Sequence, residues 1–132
     1  MKTILALLLA LALLACNKTN KAFIEKVTDA DSIAINYYTG DGKMDTVVAV
    51  KVLRSKEQMA QLTQFIGNKS TDDYKCGYDG SLHYFKKGVV LQDVDFRMND
   101  VQCMHFSFSL NGELYSTALS AEARQLLESV RK

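Results

Sequence analysis

The chain lacks an excess of either charge: 16 basic residues stand against 15 acidic ones. Its longest basic runs are only Lys86-Lys87 and Arg131-Lys132. A nucleic-acid-binding face needs clustered lysine and arginine, so nucleic acid is not an expected partner. The apolar run Ile4 to Leu14 has eleven residues, against about 20 for a helix that spans a bilayer. The glycine-rich stretch CGYDG, residues 76–80, lacks the Lys-Ser/Thr of a phosphate loop. The spacing of cysteines and histidines matches none of the compact zinc motifs, and no cofactor is implied.

What the chain does carry begins at its N-terminus. Lys2 and the short apolar run read as a cleaved export signal. The run ends Leu13-Leu14-Ala15-Cys16, which resembles the lipobox of bacterial lipoproteins. That resemblance covers only the first 16 residues. It implies a signal peptide over 1–15, cleavage before Cys16, and lipidation of Cys16 by diacylglycerol and an amide-linked chain such as palmitate. Two or more acyl chains give stable anchoring. Residue 17 is Asn rather than the Asp often linked to inner-membrane retention, and no acidic cluster follows. The expected address is therefore the cell envelope, at the outer membrane and facing the periplasm. The expected partners are the membrane, through the N-terminal lipid, and another envelope protein.

Removing residues 1–15 takes away Lys2 and leaves 15 basic and 15 acidic side chains. Residues 16–22 read as the lipidated cysteine and a tether, about 20 Å long at roughly 3.4 Å per extended residue. Residues 23–132 suffice for one domain with one core.

Within that domain, period-two segments bounded by Gly, Asn or Asp predict strands at 32–38, 46–53, 81–85, 89–96, 102–110 and 113–119. Two segments change period. Met59, Leu62, Phe65 and Ile66 recur at helical spacing behind a Ser55 cap, and Ala123, Leu126, Leu127 and Val130 do so behind Ser120. The order ββ(β)αββββα, with two one-faced helices, predicts a two-layer α+β domain, an antiparallel sheet with both helices on one face. The two Ser-x-Glu helix starts, 65 residues apart, fit either a duplicated unit or chance.

Turn chemistry sets an expected register. Asn111-Gly112 pairs Phe108 with Tyr115, and Lys87-Gly88 pairs Phe85 with Val90. A three-residue loop, 98–100, places Val94 opposite Met104. The core face is then Phe85, Val90, Val94, Met104, Phe106, Phe108 and Tyr115, with His83 on that side. The opposite face carries Leu82, Tyr84, Leu91, Asp93, His105, Ser107 and Leu114. It is too apolar for a fully solvated sheet. Tyr84, Leu91, Asp93, His105, Ser107 and Leu114 are thus a candidate binding face, or a face partly covered by residues 68–80.

Cys76 and Cys103 allow two chemistries. Export favours a disulfide, closing a 28-residue loop for about 3.6 kcal/mol on the loop-entropy estimate. The rival is a metal or hydrolytic site drawing on Cys76, His83, Cys103, His105 and Asp93, with Asp93, His105 and Ser107 supplying the residue types of a triad. All three lie on regular strands without a nucleophile elbow, so the expectation is a non-catalytic binding or accessory domain.

Overall fold

The computed structural model describes residues 18–41 and 43–132. The lipobox, including Cys16, lies outside the described residues. The elements run α1 (Lys18–Val27), β1 (Ser32–Tyr38), β2 (Val47–Leu53), α2 (Lys56–Ile66), β3 (Gly80–Lys86), β4 (Val89–Arg97), a 3-10 turn (Val101–Cys103), β5 (His105–Leu110), β6 (Glu113–Ala118) and α3 (Ala121–Arg131). The six strands form one antiparallel sheet in the order β2-β1-β3-β4-β5-β6. The α+β class is as the periodicities require. No helix of the described residues is long and apolar enough to cross a membrane.

Where two helices were expected, the described residues hold three. α1 occupies the segment read as an extended tether, and its face explains why. Phe23 and Val27, one helical turn apart, are buried, while Lys21, Glu25 and Lys26 are exposed. Phe23 packs against Phe108 at 4.7 Å and Tyr84 at 5.9 Å between ring centroids. The other helices start where their caps predict. Ser55 accepts from the Gln58 N–H and Ser120 from the Ala123 N–H, and their stripes bury Met59, Leu62 and Ile66, and Ala123 and Leu127.

All three helices join a single core with Ile33, Ile35, Tyr37, Leu82, Tyr84, Val94, Phe96, Phe106 and Phe108. Hydroxyls tie the two layers together. Tyr37 donates to the Leu127 carbonyl at 2.6 Å, Thr117 donates to the Ile66 carbonyl at 2.7 Å, and Tyr84 shares a 2.9 Å bond with Thr63. Burial raises the Tyr37 hydroxyl to about 12 and pushes Tyr84 further up, so both stay protonated and able to donate.

Both glycine turns form. Lys87 and Asn111 take positive φ and are followed by positive-φ glycines, as a two-residue turn matched to strand twist requires. Two details of register differ from expectation. Between β3 and β4, Phe85 faces Val90, but Tyr84 faces Gln92 and Leu82 faces Val94. Leu91 is therefore an extra residue, a bulge that reverses the faces beyond it. Leu82 and Tyr84 consequently belong to the core and His83 to the open face, while Phe85 is half-buried and Val90 exposed. Between β4 and β5, the 3-10 turn lengthens the connection, so Phe96 rather than Gln92 opposes Phe106. That four-residue shift preserves the faces but changes every partner, and Met104, expected opposite Val94, lies between the turn and β5.

Candidate functional site

The open face of the sheet, away from the helices, is divided between a covered end and a free end. At the covered end, residues 69–71 pair along the edge of β6 and residues 74–78 pack on the face at His105. The Lys69 carbonyl accepts from the Ala118 N–H and the Thr71 N–H donates to the Ser116 carbonyl. Cys76 and Cys103 are disulfide-bonded, with Cα atoms 6.3 Å apart, and Tyr74 and Tyr78 pack on the His105 ring at 5.3 and 5.7 Å. His105 is fully buried there, donating from Nδ1 to the Cys103 carbonyl at 2.6 Å. Its Nε2 is buried without a partner. The covered-face alternative therefore describes this half of the sheet.

At the free end, β2 is an edge strand whose Val48, Val50 and Val52 are about half-exposed. The opposite edge, β6, is partly masked by the bridge from Ser70 to Thr117. Between them runs a ladder of polar side chains. His83 Nδ1 sits 2.6 Å from Asp93 Oδ1, its Nε2 lies 3.0 Å from Ser81 Oγ and 3.3 Å from Asn36 Nδ2, and the Tyr38 hydroxyl is 3.4 Å from Ser81 Oγ. Beside this ladder stands Asp95, opposite Ser81 on one side and Ser107 on the other. Its half-burial holds the carboxyl above the usual range; His83 pulls it down and Asp93 pushes it up.

The expected site residues thus disperse. Tyr84 leaves the face for the core, 1% exposed, because of the Leu91 bulge. His105 and Ser107 remain on the face but are buried, and Asp93 and Leu114 are exposed. The combination Asp93, His105, Ser107 does not assemble: the shifted register sets Arg97 opposite His105 and Asp95 opposite Ser107. The metal set does not assemble either. His83 lies in the polar ladder with Asp93. Among the described residues the one triple of ligand atoms within 4.8 Å is Cys76, Asp100 and Cys103, whose sulfurs are bonded to each other. Sequence reasoning missed Ser81, Asn36 and Asp95, and it placed His83 on the core side. The spacing of Ser81 and His83 placed them on a common face, but only the bulge decides which face.

What the ladder can do chemically is limited by its surroundings. Ser81, His83 and Asp93 have the connectivity of a nucleophile, base and orienting carboxylate. Asp95 beside Ser81, however, puts a carboxyl where a developing oxyanion would need donors. No protein-family model, curated protein or solved structure matches the chain.

Proposed function

We propose that the chain is a lipid-anchored protein of the bacterial cell envelope, held at the outer membrane and facing the periplasm. Its domain acts as a non-catalytic binding or accessory module that contacts another envelope protein or an exported ligand through the open sheet face. The observation that carries this reading is the bonded pair Cys76 and Cys103 in a chain that opens with an export signal and Leu-Leu-Ala-Cys, since structural disulfides persist in oxidising compartments. α1 adds to it. The helix Lys18–Val27 follows Cys16 closely in sequence and docks into the core through Phe23. A lipid on Cys16 would then hold the open face at a restricted height and orientation. The valine edge of β2 supplies unpaired strand backbone and apolar side chains that a partner can cover.

The test is metabolic labelling with a fatty acid, followed by membrane fractionation of wild type and Cys16→Ser. Loss of label and of membrane retention in the variant is expected. Unchanged fractionation with no label lost would sink the lipoprotein reading.

A hydrolytic reading has one observation in its favour, the Ser81-His83-Asp93 connectivity. It requires an activated ester substrate such as p-nitrophenyl acetate to turn over at a rate that Ser81→Ala abolishes. A rate equal to that of Ser81→Ala removes it.

A further inference from the structure

β2 leaves one side of its backbone unused. The Tyr38 N–H donates to the Asp79 carbonyl at 2.7 Å, on the β3 side of β1. The Asn36 carbonyl also lies against β3, so close to Gly80 that an added Cβ there would meet it at 2.3 Å. Backbone direction alternates along a strand, so Ile33, Ile35 and Tyr37 turn their N–H and C=O groups to β2. Their partners there are Leu53, Lys51 and Ala49. Val50 and Val52, which alternate with those partners, therefore point their N–H and C=O groups away from the sheet. Among the described residues no strand lies beyond β2.

Side chains at this edge sort by face. Val50 and Val52, opposite Asn36 and Ala34, stand on the open face and are about half-exposed. Lys51 stands on the helix side, opposite the buried Ile35, and is the one charge in the strand VVAVKVL. Arg131 of α3 lies on the same side, its guanidinium 5.3 Å over the Tyr37 ring. Neither Lys51 nor Arg131 takes part in the ion pairs among the described residues. The edge thus offers outward hydrogen-bonding groups, with an apolar row on one side and positive charge on the other.

These features discriminate among occupants. A second copy paired about Val50, the centre of the strand, makes the two Lys51 side chains diagonal neighbours, about 7–8 Å apart, with Arg131 beside each. Val48 is an extra residue, since Tyr37 faces Ala49 and Tyr38 faces Val47, and this bulge would break such a pairing at both ends. Edge lysines and bulges guard sheets against self-pairing. A strand with a carboxylate opposite Lys51 turns the same charge into an attraction.

We propose that β2 accepts an extended segment of another polypeptide as a seventh, antiparallel strand. Its apolar, β-branched residues lie opposite Val50 and Val52, and an acidic residue between them lies opposite Lys51. Backbone hydrogen bonds supply the affinity and the alternate side chains the specificity. The inference names the partner chemistry for the binding-module reading, on which it rests, and it is independent of the anchor.

The test is an NMR titration of the ¹⁵N-labelled full chain in non-ionic detergent with the peptide acetyl-Thr-Val-Glu-Val-Thr-amide. Saturable shifts are expected, largest at the Val50 and Val52 amides, whose N–H groups gain acceptors. N-methylation of either peptide valine should abolish binding, because those nitrogens face β2. N-methylation of the glutamate, whose N–H faces away, should leave the affinity unchanged. Replacing the glutamate by lysine should weaken binding several-fold, and Lys51→Glu should reverse that preference. Val50→Pro removes the outward N–H without touching the β1 ladder, as an edge position permits, and should abolish binding. Leu114→Ala, on the far edge strand, should leave it unchanged. Should Val50→Pro fail to fold, the N-methylated peptides still decide. Equal loss on N-methylation of the glutamate, or a charge preference indifferent to Lys51→Glu, would overturn the proposal. Shifts centred on Asp93 and Leu114 would overturn it while keeping the open face as a binding surface. A wild-type dimer that Val50→Pro dissociates would assign the edge to a second copy instead. The anchoring is read by fatty-acid label and fractionation, so either reading can fail alone.

Discussion

The Asp79 carboxylate, 1% exposed, holds the Arg97 guanidinium at 2.9 Å through one oxygen and the N–H groups of Met98 and Asn99, at 2.7 and 2.9 Å, through the other. It fixes the start of β3 to the point where β4 leaves the sheet for the 3-10 turn, and so helps set the β4–β5 register. The same segment carries Cys103, so the buried acid and the disulfide fasten one connection from two directions.

Asp79→Ala would leave a buried guanidinium and two backbone donors without partners. Breaking a buried ion pair in this way costs about 3–5 kcal/mol. Arg97→Met should cost less, because Asp79 keeps its two backbone donors. Urea unfolding of both variants checks the order, and an Arg97→Met loss as large as that of Asp79→Ala would show that the backbone bonds contribute little.

The disulfide prediction follows from loop closure. Cys76→Ser and Cys103→Ser should each lose about 3–4 kcal/mol. The double variant should be no worse than either single one, since all remove the same constraint, and reductant should bring the wild type to the same midpoint. Chelator should leave all of them unchanged. A midpoint that responds to chelator and not to reductant would instead assign the two cysteines to metal.

Asp95 gives a pH dependence whose sign can be worked out. Its carboxyl is held above the ordinary 3.8, mainly by burial, so the folded chain binds that proton more tightly than the unfolded chain. The cost of the buried charge is present in full above the folded pKa and is relieved as pH falls toward 3.8. Asp95→Asn should therefore raise the unfolding midpoint at pH 7, and the gain should shrink as pH falls through that window. Asp31 and Asp41 are lowered, chiefly by the Lys87 N–H and the Thr39 hydroxyl respectively, and act in the opposite direction. They are common to both proteins and drop out of the difference. A less stable Asp95→Asn protein at pH 7 would mean that the carboxylate already has a partner.

How far the residues themselves disclosed the fold depends on the range of the interaction that decides each feature. Ser55, Ser120, Asn111-Gly112 and Lys87-Gly88 act within a few residues, and they placed two helices and two hairpins. The Leu91 bulge is decided by which of Leu82 or His83 is better buried against α1 and α2, a long-range choice that alternation within β3 cannot make. The 3-10 turn is similar. Asp100 accepts from the Gln102 N–H at 3.1 Å, a local signal, but the length it adds matters only through the facing strand. His83 was consequently read on the wrong side of the sheet, and the polar ladder was not visible. α1 was hidden by its neighbour: beside a lipobox, a short amphipathic stretch reads as a spacer.

That oversight gives the last prediction. If Phe23 is a core residue, Phe23→Ala should cost about 3–5 kcal/mol, as for other buried aromatic truncations, because its ring is fully buried against Tyr84 and Phe108. Lys21→Ala on the exposed side should change stability by less than about 0.5 kcal/mol, since its contact with Glu25 at 3.9 Å is a solvated i,i+4 pair. The two substitutions lie in the same helix and two residues apart, so the contrast separates docking of α1 from its mere helicity. Helix propensity alone would make both alanine variants neutral or slightly stabilising. A Phe23→Ala protein as stable as wild type would return residues 16–22 to the role of a free tether and remove the argument that the anchor fixes the orientation of the open face. A large loss confined to Phe23→Ala would mean that the chain passes from the cysteine into the core within seven residues, leaving little freedom for the domain to turn away from the membrane.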